Sequence, residues 1–378
     1  MNILLTNYLE TLSPGGINKL IRELGRILSE QGHAVTVLQG NPFNLAGEEI
    51  YEGFKIIRIA SPVEKYLWDL NGRLFFYLKK HLGELDPQVV HLHGHHLNTP
   101  EVLYALKRTE RSIPTVVDYH IDAYSGTLGR RWFWRAYTKI GTYVANAATH
   151  IVAISNFEAD YIRQAFGVSD DKISVISLGV DPVFQKKALE RDQRNHKGEI
   201  RLLSVGYLIR RKDFKSVLYC LNELVHRFGM KEARLTIVGT GPEKGNLLRL
   251  ADRLDIGEHI TWKESLNTPA LVREFVEADV FLLLSKSEAY GISVAEALSA
   301  GVPSIVTDTT ALHDFTKEPG CFGVESPPDP QTVARLILSI LENKVEVGPF
   351  SSKIRTWERV VQDYEAVYNK VRQDPAPS

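Results

Sequence analysis

The sequence predicts an α/β protein of two doubly wound domains, each on its own parallel sheet, facing each other across a cleft. Three observations predict it. Short apolar runs rich in β-branched residues alternate with amphipathic stretches along the whole chain, as strands buried on both faces of a parallel sheet require. The alternation stops once, at a polar segment after Phe184, and then restarts. The 378 residues are too many for one ordinary core and suit two.

Taken in order, the first-half strand candidates are "NILLTN", "AVTVLQG", "FKIIRIA", "VVHLHG", "TVVDYH", "HIVAIS" and "ISVISLG". Each is short and closes on, or just before, a polar or glycine residue. The stretch "GINKLIRELGRILSEQGH" reads as the first helix, with Ile17, Leu20, Ile21, Leu24 and Leu28 on one face. Residues 1–184 are expected to form the first domain and 185–199, "QKKALERDQRNHKGE", the linker. The second domain, 200–350, carries "RLLSVGYL", "RLTIVGTG", "HITWKES", "VFLLLSK" and "VPSIVTD". After the break "ESPPDP" comes the helix "PQTVARLILSILEN". The last helix, 351–372, spaces Trp357, Val360, Val361, Tyr364 and Tyr368 to pack back on the first domain.

Composition narrows the function classes. Hydrophobic content of 44% and charged content of 24% describe an ordinary globular chain, and a net charge of −1 provides no field for nucleic acid. Cys220 and Cys321 stand far apart, which suits a reducing compartment and excludes a disulfide or zinc framework. The opening "MNILLTN" lacks the basic and long apolar regions of a signal peptide, and no run is long enough to span a bilayer. A cytoplasmic location, with peripheral contact at the inner face of the membrane as an option, is the expectation.

Ligands of such sheets bind beyond the carboxyl ends of the strands. The stretch "SEAYGISVAEALSAGVPSIVTD" lies there, with Leu282–Ser285 as the strand and Ser293–Ala300 as the helix. Amides of Gly291 and Ile292 at the helix start suit an oxygen-rich ligand. Glu288 precedes them and Glu296 sits about one turn in, so both carboxylates can face one ligand and accept from paired hydroxyls. The same residues also fit a capping box at Ser293-x-x-Glu296 with Glu288 as an exposed loop acid. Spacing alone leaves both readings open.

The stretch resembles the Glu-x7-Glu signature of the retaining glycosyltransferases of family 4, which have the GT-B fold. Ser285, Glu288, Gly291, Glu296, Ala297, Gly301, Pro303 and Thr307 fall in place; Ala289 replaces the first glycine and Tyr290 follows it. The resemblance implies that Glu288 holds donor-sugar hydroxyls and Glu296 the ribose, with the amides around Tyr290, Gly291 and Ile292 facing sugar and phosphates. Other segments match in order. "SPGGINKL" resembles the family's Gly-Gly loop, where Gly15 and Gly16 would let the backbone approach a phosphate. "VVDYH" ends at His120, where the family has a histidine near the reacting carbon. "SVGYLIRRKDFKSV" matches the G-R-L-x-x-x-K-G segment at Gly206, Leu208 and Lys212, and Lys212 would meet the donor diphosphate. Tyr207 replaces the usual arginine, leaving Arg210 or Arg211 to supply that charge. "GVDP" matches at Gly179, Val180 and Asp181, with Ser177 and Leu178 in place of Pro and Asn. "IVGTGPEK" matches G-x-G-P at Gly239, Gly241 and Pro242, and Lys263 and Glu264 are offered to the nucleobase.

Two further groups invite a reading. "VVHLHGHH" places His91, His93 and His95 on one strand face, with His96 following, but the sequence sets no carboxylate or cysteine beside them, so no metal is expected. "GRRWFWRAYTKIG" interleaves Arg130, Arg131, Arg135 and Lys139 with Trp132, Phe133, Trp134 and Tyr137. That pattern fits a membrane surface or lipid-linked acceptor, or a packed helix with snorkelling stems; "KYLWDLNGRLFFYLKKHL" is similar.

The resemblance thus implies a retaining hexosyltransferase without cofactor or metal. It would move sugar from a UDP- or GDP-type donor to a glycolipid, polysaccharide precursor or small metabolite. The alternative is a binding or scaffold protein with a decayed site, motivated by Tyr207, Ser177 and Leu178. A nicotinamide dehydrogenase lacks support, because the first strand leads to Pro-Gly-Gly rather than G-x-G-x-x-G.

Overall fold

The computed structural model describes residues 1–7, 10–13, 15–41, 43, 45–60, 72–94, 98–109, 112–121, 130–189, 199–345, 347 and 354–373, with backbone alone over 130–137. The described residues up to Gly179, together with Trp357–Gln373, form one compact unit. Those from Val180 to Thr356 form a second.

The first unit is built on β1 (Asn2–Asn7), β2 (Ala34–Gly40), β3 (Glu48–Tyr51), β4 (Phe54–Ile59), β5 (Val89–His93), β6 (Thr115–Asp118), β7 (His150–Ala153) and β8 (Ile173–Val175). Their order is β3-β4-β2-β1-β5-β6-β7-β8. All neighbours are parallel except the β3–β4 hairpin. The charged edge strand β3, "EEIY", shows none of the apolar run that marks the other strands, and sequence reading did not separate it. The second unit orders β9 (Ile200–Val205), β10 (Ala233–Val238), β11 (Ile260–Lys263), β12 (Val280–Leu283), β13 (Ser304–Thr307) and β14 (Cys321–Val324) as β11-β10-β9-β12-β13-β14, all parallel.

The core follows from the apolar runs. Ile3, Leu4 and Leu5 of β1 and all of β12 are buried. The helix Gly16–Glu30 buries Leu20, Ile21, Leu24 and Leu28. Its Gly25 lets it approach β4, since a Cβ there would stand 2.6 Å from the Phe54 ring. The last helix, Trp357–Gln373, buries Trp357, Val360, Val361, Tyr364 and Tyr368 within the first unit. His33 Nε2 lies 3.1 Å from its Glu365.

The division between units falls at Gly179/Val180, ahead of the expected boundary at 184/185. The reason is apolar: Phe184 is fully buried and its ring meets Phe275 of the second unit at 5.5 Å. Gln185–Leu189, read from sequence as the start of the linker, complete the helix Pro182–Leu189. Residues 190–198 lie outside the described residues.

Each sheet runs outward in both directions from a central strand, β1 or β9. The loops at the carboxyl ends beside these strands are therefore the places to look for ligand groups.

Candidate functional site

In the second unit, β9 and β12 are neighbours. The loop after β9 makes a short 3-10 turn, Arg210–Lys212, and the loop after β12 carries Glu288. The Lys286 N–H donates to the Arg211 carbonyl at 2.8 Å and ties the two loops. Their side chains then converge. Lys212 Nζ lies 2.5 Å from Glu288 Oε1, and Ser285 Oγ donates to the same oxygen at 2.7 Å. Arg211 Nη1 donates to the Ser287 carbonyl at 2.7 Å and stands 3.5 Å from Glu288 Oε2. The Glu288 N–H donates to Thr310 Oγ1 at 2.9 Å.

Glu288 is 5% exposed, so it is not the exposed loop acid of the capping-box reading. Burial alone would raise its pKa, but the charges of Lys212 and Arg211 and the bonds from Lys212 and Ser285 hold it below the usual carboxylate range. The capping box is not formed. The helix is Ile292–Ser299, its N-cap is Gly291 at φ 109°, and no side chain caps it. Gly291 is required by that dihedral and by space, since a Cβ would stand 2.8 Å from Leu312 Cδ2. Ser293 therefore lies inside the helix. Glu296, 5% exposed, lies about one turn into the helix. Tyr290 packs against Phe315 with ring centroids 5.2 Å apart.

The two candidate arginines separate. The Arg210 side chain is 83% exposed and reaches Glu243 at 3.4 Å, whereas Arg211 is 20% exposed and beside Glu288. Tyr207, at the usual arginine position, is 57% exposed. Arg211→Ala is expected to weaken nucleotide-sugar binding or turnover by about tenfold, roughly 1.4 kcal/mol, and Arg210→Ala by no more than about twofold, because an exposed, loosely paired charge contributes little. Titration calorimetry on both variants checks this; equal losses would remove the distinction.

Gly239 and Gly241 have a structural explanation that the sequence did not offer. The loop after β10 crosses the loop after β9: Leu208 N–H donates to the Thr240 carbonyl at 2.7 Å, and Glu243 N–H to the Leu208 carbonyl at 2.9 Å. A Cβ on Gly239 would stand 1.9 Å from the Gly206 oxygen, and one on Gly241 2.4 Å from the Leu208 oxygen. Both glycines are thus needed for one backbone to pass another. Lys263 pairs with Glu274 at 2.5 Å and Glu264 with Lys244 at 2.7 Å, so the structure engages both with neighbours of their own.

In the first unit, Gly15 caps the helix Gly16–Glu30 at φ 146°. A Cβ on Gly16 would meet Leu178 at an ordinary 3.6 Å. Beneath this loop lies a buried charge group that sequence reading missed. Arg58 bonds Glu10 at 2.9 and 3.0 Å and Glu49 at 2.7 Å, and Gln39 donates to Glu10 at 2.6 Å.

At the ends of β5 and β6 the structure corrects one sequence reading: a carboxylate does accompany the histidines. Asp118 Oδ1 lies 3.0 Å from His91 Nε2, and Asp118 Oδ2 lies 3.4 Å from His93 Nδ1. The last helix completes the group, with Tyr364 OH donating to Asp118 Oδ2 at 2.8 Å and Tyr368 OH 2.7 Å from His91 Nδ1. Burial would raise Asp118, but His91 and His93 hold it far below its ordinary range. Burial and the neighbouring His91 lower His93 to about 3. A ring nitrogen each of His91 and His93 and a carboxylate oxygen of Asp118 lie within 4.8 Å of one another, the one such group of three among the described residues. Tyrosine and imidazole contacts already surround that carboxylate. His120 follows β6 at φ 56°. No sequence pattern announces Asp118 as their partner, because β5 and β6 meet only through sheet pairing.

His95, His96 and the side chains of Arg130, Arg131, Trp132, Phe133, Trp134, Arg135 and Tyr137 lie outside the described residues, as does 65–71 of the second aromatic stretch. Lys139 is exposed on the helix Arg130–Ala147. Among the described residues no helix is long and apolar enough to cross a membrane.

With this geometry in view, comparisons with known proteins add the following. Residues 14–184 match the description "Glycosyltransferase Family 4", and residues 185–356 match "Glycosyl transferases group 1". The chain is 22% identical to an MMP alpha-(1->4)-mannosyltransferase of Mycolicibacterium hassiacum over 98% of each chain. It is 24% identical to a phosphatidyl-myo-inositol mannosyltransferase of Mycobacterium tuberculosis, covering 95% of this chain and 94% of that protein. Among solved structures, a sucrose-phosphate synthase from Thermosynechococcus elongatus superposes with a TM-score of 0.81 at 17% identity, covering 98% of this chain and 99% of the other. The Anabaena protein HepE, in complex with UDP and glucose, superposes at 0.75 and 14% identity with the same coverage.

Proposed function

The chain belongs to the family 4 glycosyltransferases of GT-B fold and is a hexosyltransferase-type enzyme using a nucleotide-sugar donor, and from that premise we propose that it transfers the sugar to an acceptor hydroxyl with retention of anomeric configuration. One observation carries the site assignment: a buried carboxylate, Glu288, held between Lys212 and Arg211 at the carboxyl ends of β9 and β12.

In this reading Lys212 and Arg211 turn to the donor diphosphate. Their charge offsets the negative charge that builds on the leaving phosphate as the glycosidic bond breaks. Glu288 exchanges a cation partner for sugar hydroxyls and so fixes the ring against the departing group. Its lowered pKa keeps it an acceptor at neutral and mildly acidic pH. Glu296 takes the ribose hydroxyls, and His120 belongs beside the reacting carbon by family resemblance. A phosphate oxygen on the same face takes the acceptor proton, which gives retention without a protein nucleophile. The relatives named above are an MMP alpha-(1->4)-mannosyltransferase and a phosphatidyl-myo-inositol mannosyltransferase, and a glycolipid, a polysaccharide precursor or a small metabolite fits the acceptor here. Peripheral membrane contact through residues 130–139 is part of the proposal, and cosedimentation with anionic vesicles tests it.

Thermal shift against UDP-, GDP- and ADP-hexoses, followed by NMR of the anomeric proton in the product, tests the whole reading. Stabilisation by one donor class and a product of unchanged configuration are expected. An inverted product refutes retention, and binding without turnover on any acceptor favours the decayed-site alternative. Arg211 beside Glu288 counts against that alternative. Because two side-chain cations already serve the diphosphate, transfer is expected to survive EDTA unchanged; loss on chelation, restored by magnesium or manganese, would contradict this.

A further inference from the structure

His120 is held in an unusual way. It follows β6 at φ 56°, in the left-handed region that a residue with a Cβ seldom adopts. Its side chain is 3% exposed, and both ring nitrogens are buried without a hydrogen-bond partner among the described residues. Such a residue persists only where its surroundings impose it. Two buried acidic side chains, Glu158 and Asp118, do so. Glu158, fully buried on the helix Asn156–Phe166, accepts the Ile121 N–H at 2.5 Å through Oε1 and the Ile154 N–H at 2.7 Å through Oε2. It thereby pins the peptide that follows His120. Asp118 Oδ2 lies 3.8 Å from His120 Nε2, and the His93 ring stacks on His120 with centroids 5.8 Å apart.

We propose that Glu158 and Asp118 are positioning residues for His120: Glu158 sets its backbone turn through the Ile121 N–H, and Asp118, braced by Tyr364 of the last helix, sets its ring. The proposal rests on the reading of His120 as a site residue given above. An ordinary helix cap does not account for Glu158. Ser155 Oγ already caps the Glu158 N–H at 3.2 Å, and a cap needs neither full burial nor an oxygen spent on another strand's loop. Burial pushes Glu158 up to about 8 against the pull of its two backbone bonds, so this chain bears the desolvation of a buried acidic side chain to hold that turn. The last helix also gains a role beyond packing, since Tyr364 donates to Asp118 at 2.8 Å.

The test uses the full chain labelled with 15N-histidine, with His120 signals identified by their loss in His120→Ala. Among the described residues the charged and titratable groups that face the ring are Asp118 from β6 and His91 and His93 from β5. Tyr364 reaches it through Asp118. In the native chain burial lowers His120 to about 4, with Asp118 opposing and His91 adding to the fall, so a single neutral tautomer is expected through neutral pH. Glu158→Gln sets an amide N–H against a backbone N–H. It should release the ring and move its midpoint up by at least about one pH unit, towards the ordinary histidine value. Asp118→Asn removes the charge but leaves the turn, and should change the tautomer or lower the midpoint further. An unchanged His120 spectrum in both variants overturns the proposal, and thermal melts confirm that each variant is folded. UDP or GDP release from a panel of UDP- and GDP-hexoses supplies the second reading. Glu158→Gln should lower kcat about tenfold with donor KM unchanged, and should cost nothing more in a His120→Ala background. Equal losses in both backgrounds would show a merely structural role. A shifted His120 spectrum with full turnover in His120→Ala would instead remove His120 from the site and leave the clamp as architecture.

Discussion

Glu288→Ala is expected to reduce sugar transfer by about a hundredfold or more, roughly 2.7 kcal/mol of transition-state stabilisation, while the protein stays folded. The carboxylate is the meeting point of the site: Lys212 at 2.5 Å, Ser285 at 2.7 Å and Arg211 at 3.5 Å all address it. Its removal deletes the acceptor for donor hydroxyls. It also frees two cations whose positions determine how well they meet a diphosphate. Stability should fall only modestly, because Lys212 and Arg211 remain 16% and 20% exposed and can be hydrated once unpaired. The expected pattern is a large fall in kcat/KM with a melting temperature lowered by a few degrees. Native turnover in Glu288→Ala would end the assignment. Glu296→Ala should weaken nucleotide affinity in particular, and unchanged affinity there would remove it from the ribose.

Gly241→Ala is expected to lose both donor binding and stability, by about 3 kcal/mol or more. Its φ is 153°, and a Cβ would stand 2.4 Å from the Leu208 carbonyl oxygen and 2.7 Å from the Leu208 amide nitrogen. Those atoms are backbone and cannot swing aside. The bond from Leu208 N–H to Thr240 and the one from Glu243 N–H to Leu208 must open, and the loop bearing Arg211 and Lys212 moves with them. Gly83→Ala is the control, because a Cβ there meets nothing within 4 Å. Chemical denaturation and calorimetry with UDP-sugars measure both effects. Native stability in Gly241→Ala would show that the crossing is looser than its hydrogen bonds indicate.

Much of the fold was legible because a strand buried on both faces must be an apolar run, and such runs are local. The runs that became β1, β2 and β4 to β13 all qualified, while β14, "CFGV", was not read as a strand. Strand β3 did not, since an edge strand with one wet face needs charges rather than an apolar run, and "EEIY" reads as a loop. The division by contacts falls at Gly179, a few residues before the sequence boundary at 184/185 that the family matches share, because Phe184 packs on the Phe275 ring of the second unit, a contact separated by many residues.

The site divides in the same way. By itself the sequence determined the residue types and their place after strands: Glu288 and Glu296 around a helix start, Lys212 after β9, His120 after β6, and the tyrosines of the last helix on one face. These depend on periodicity and on the resemblance to the family's motifs, both of which a linear chain displays. Tertiary structure alone decided which partner each would meet. It rejected the capping box by making Gly291 the cap. It put Arg211 rather than Arg210 beside Glu288 by the course of the 3-10 turn. It assigned Gly239 and Gly241 to the crossing of two loops, and it set Asp118, Tyr364 and Glu158 around a turn that no spacing in the sequence connects. The physical reason is common to all four: burial, clash and hydrogen-bond direction are properties of neighbours in space, and sheet pairing brings together residues that the chain keeps far apart.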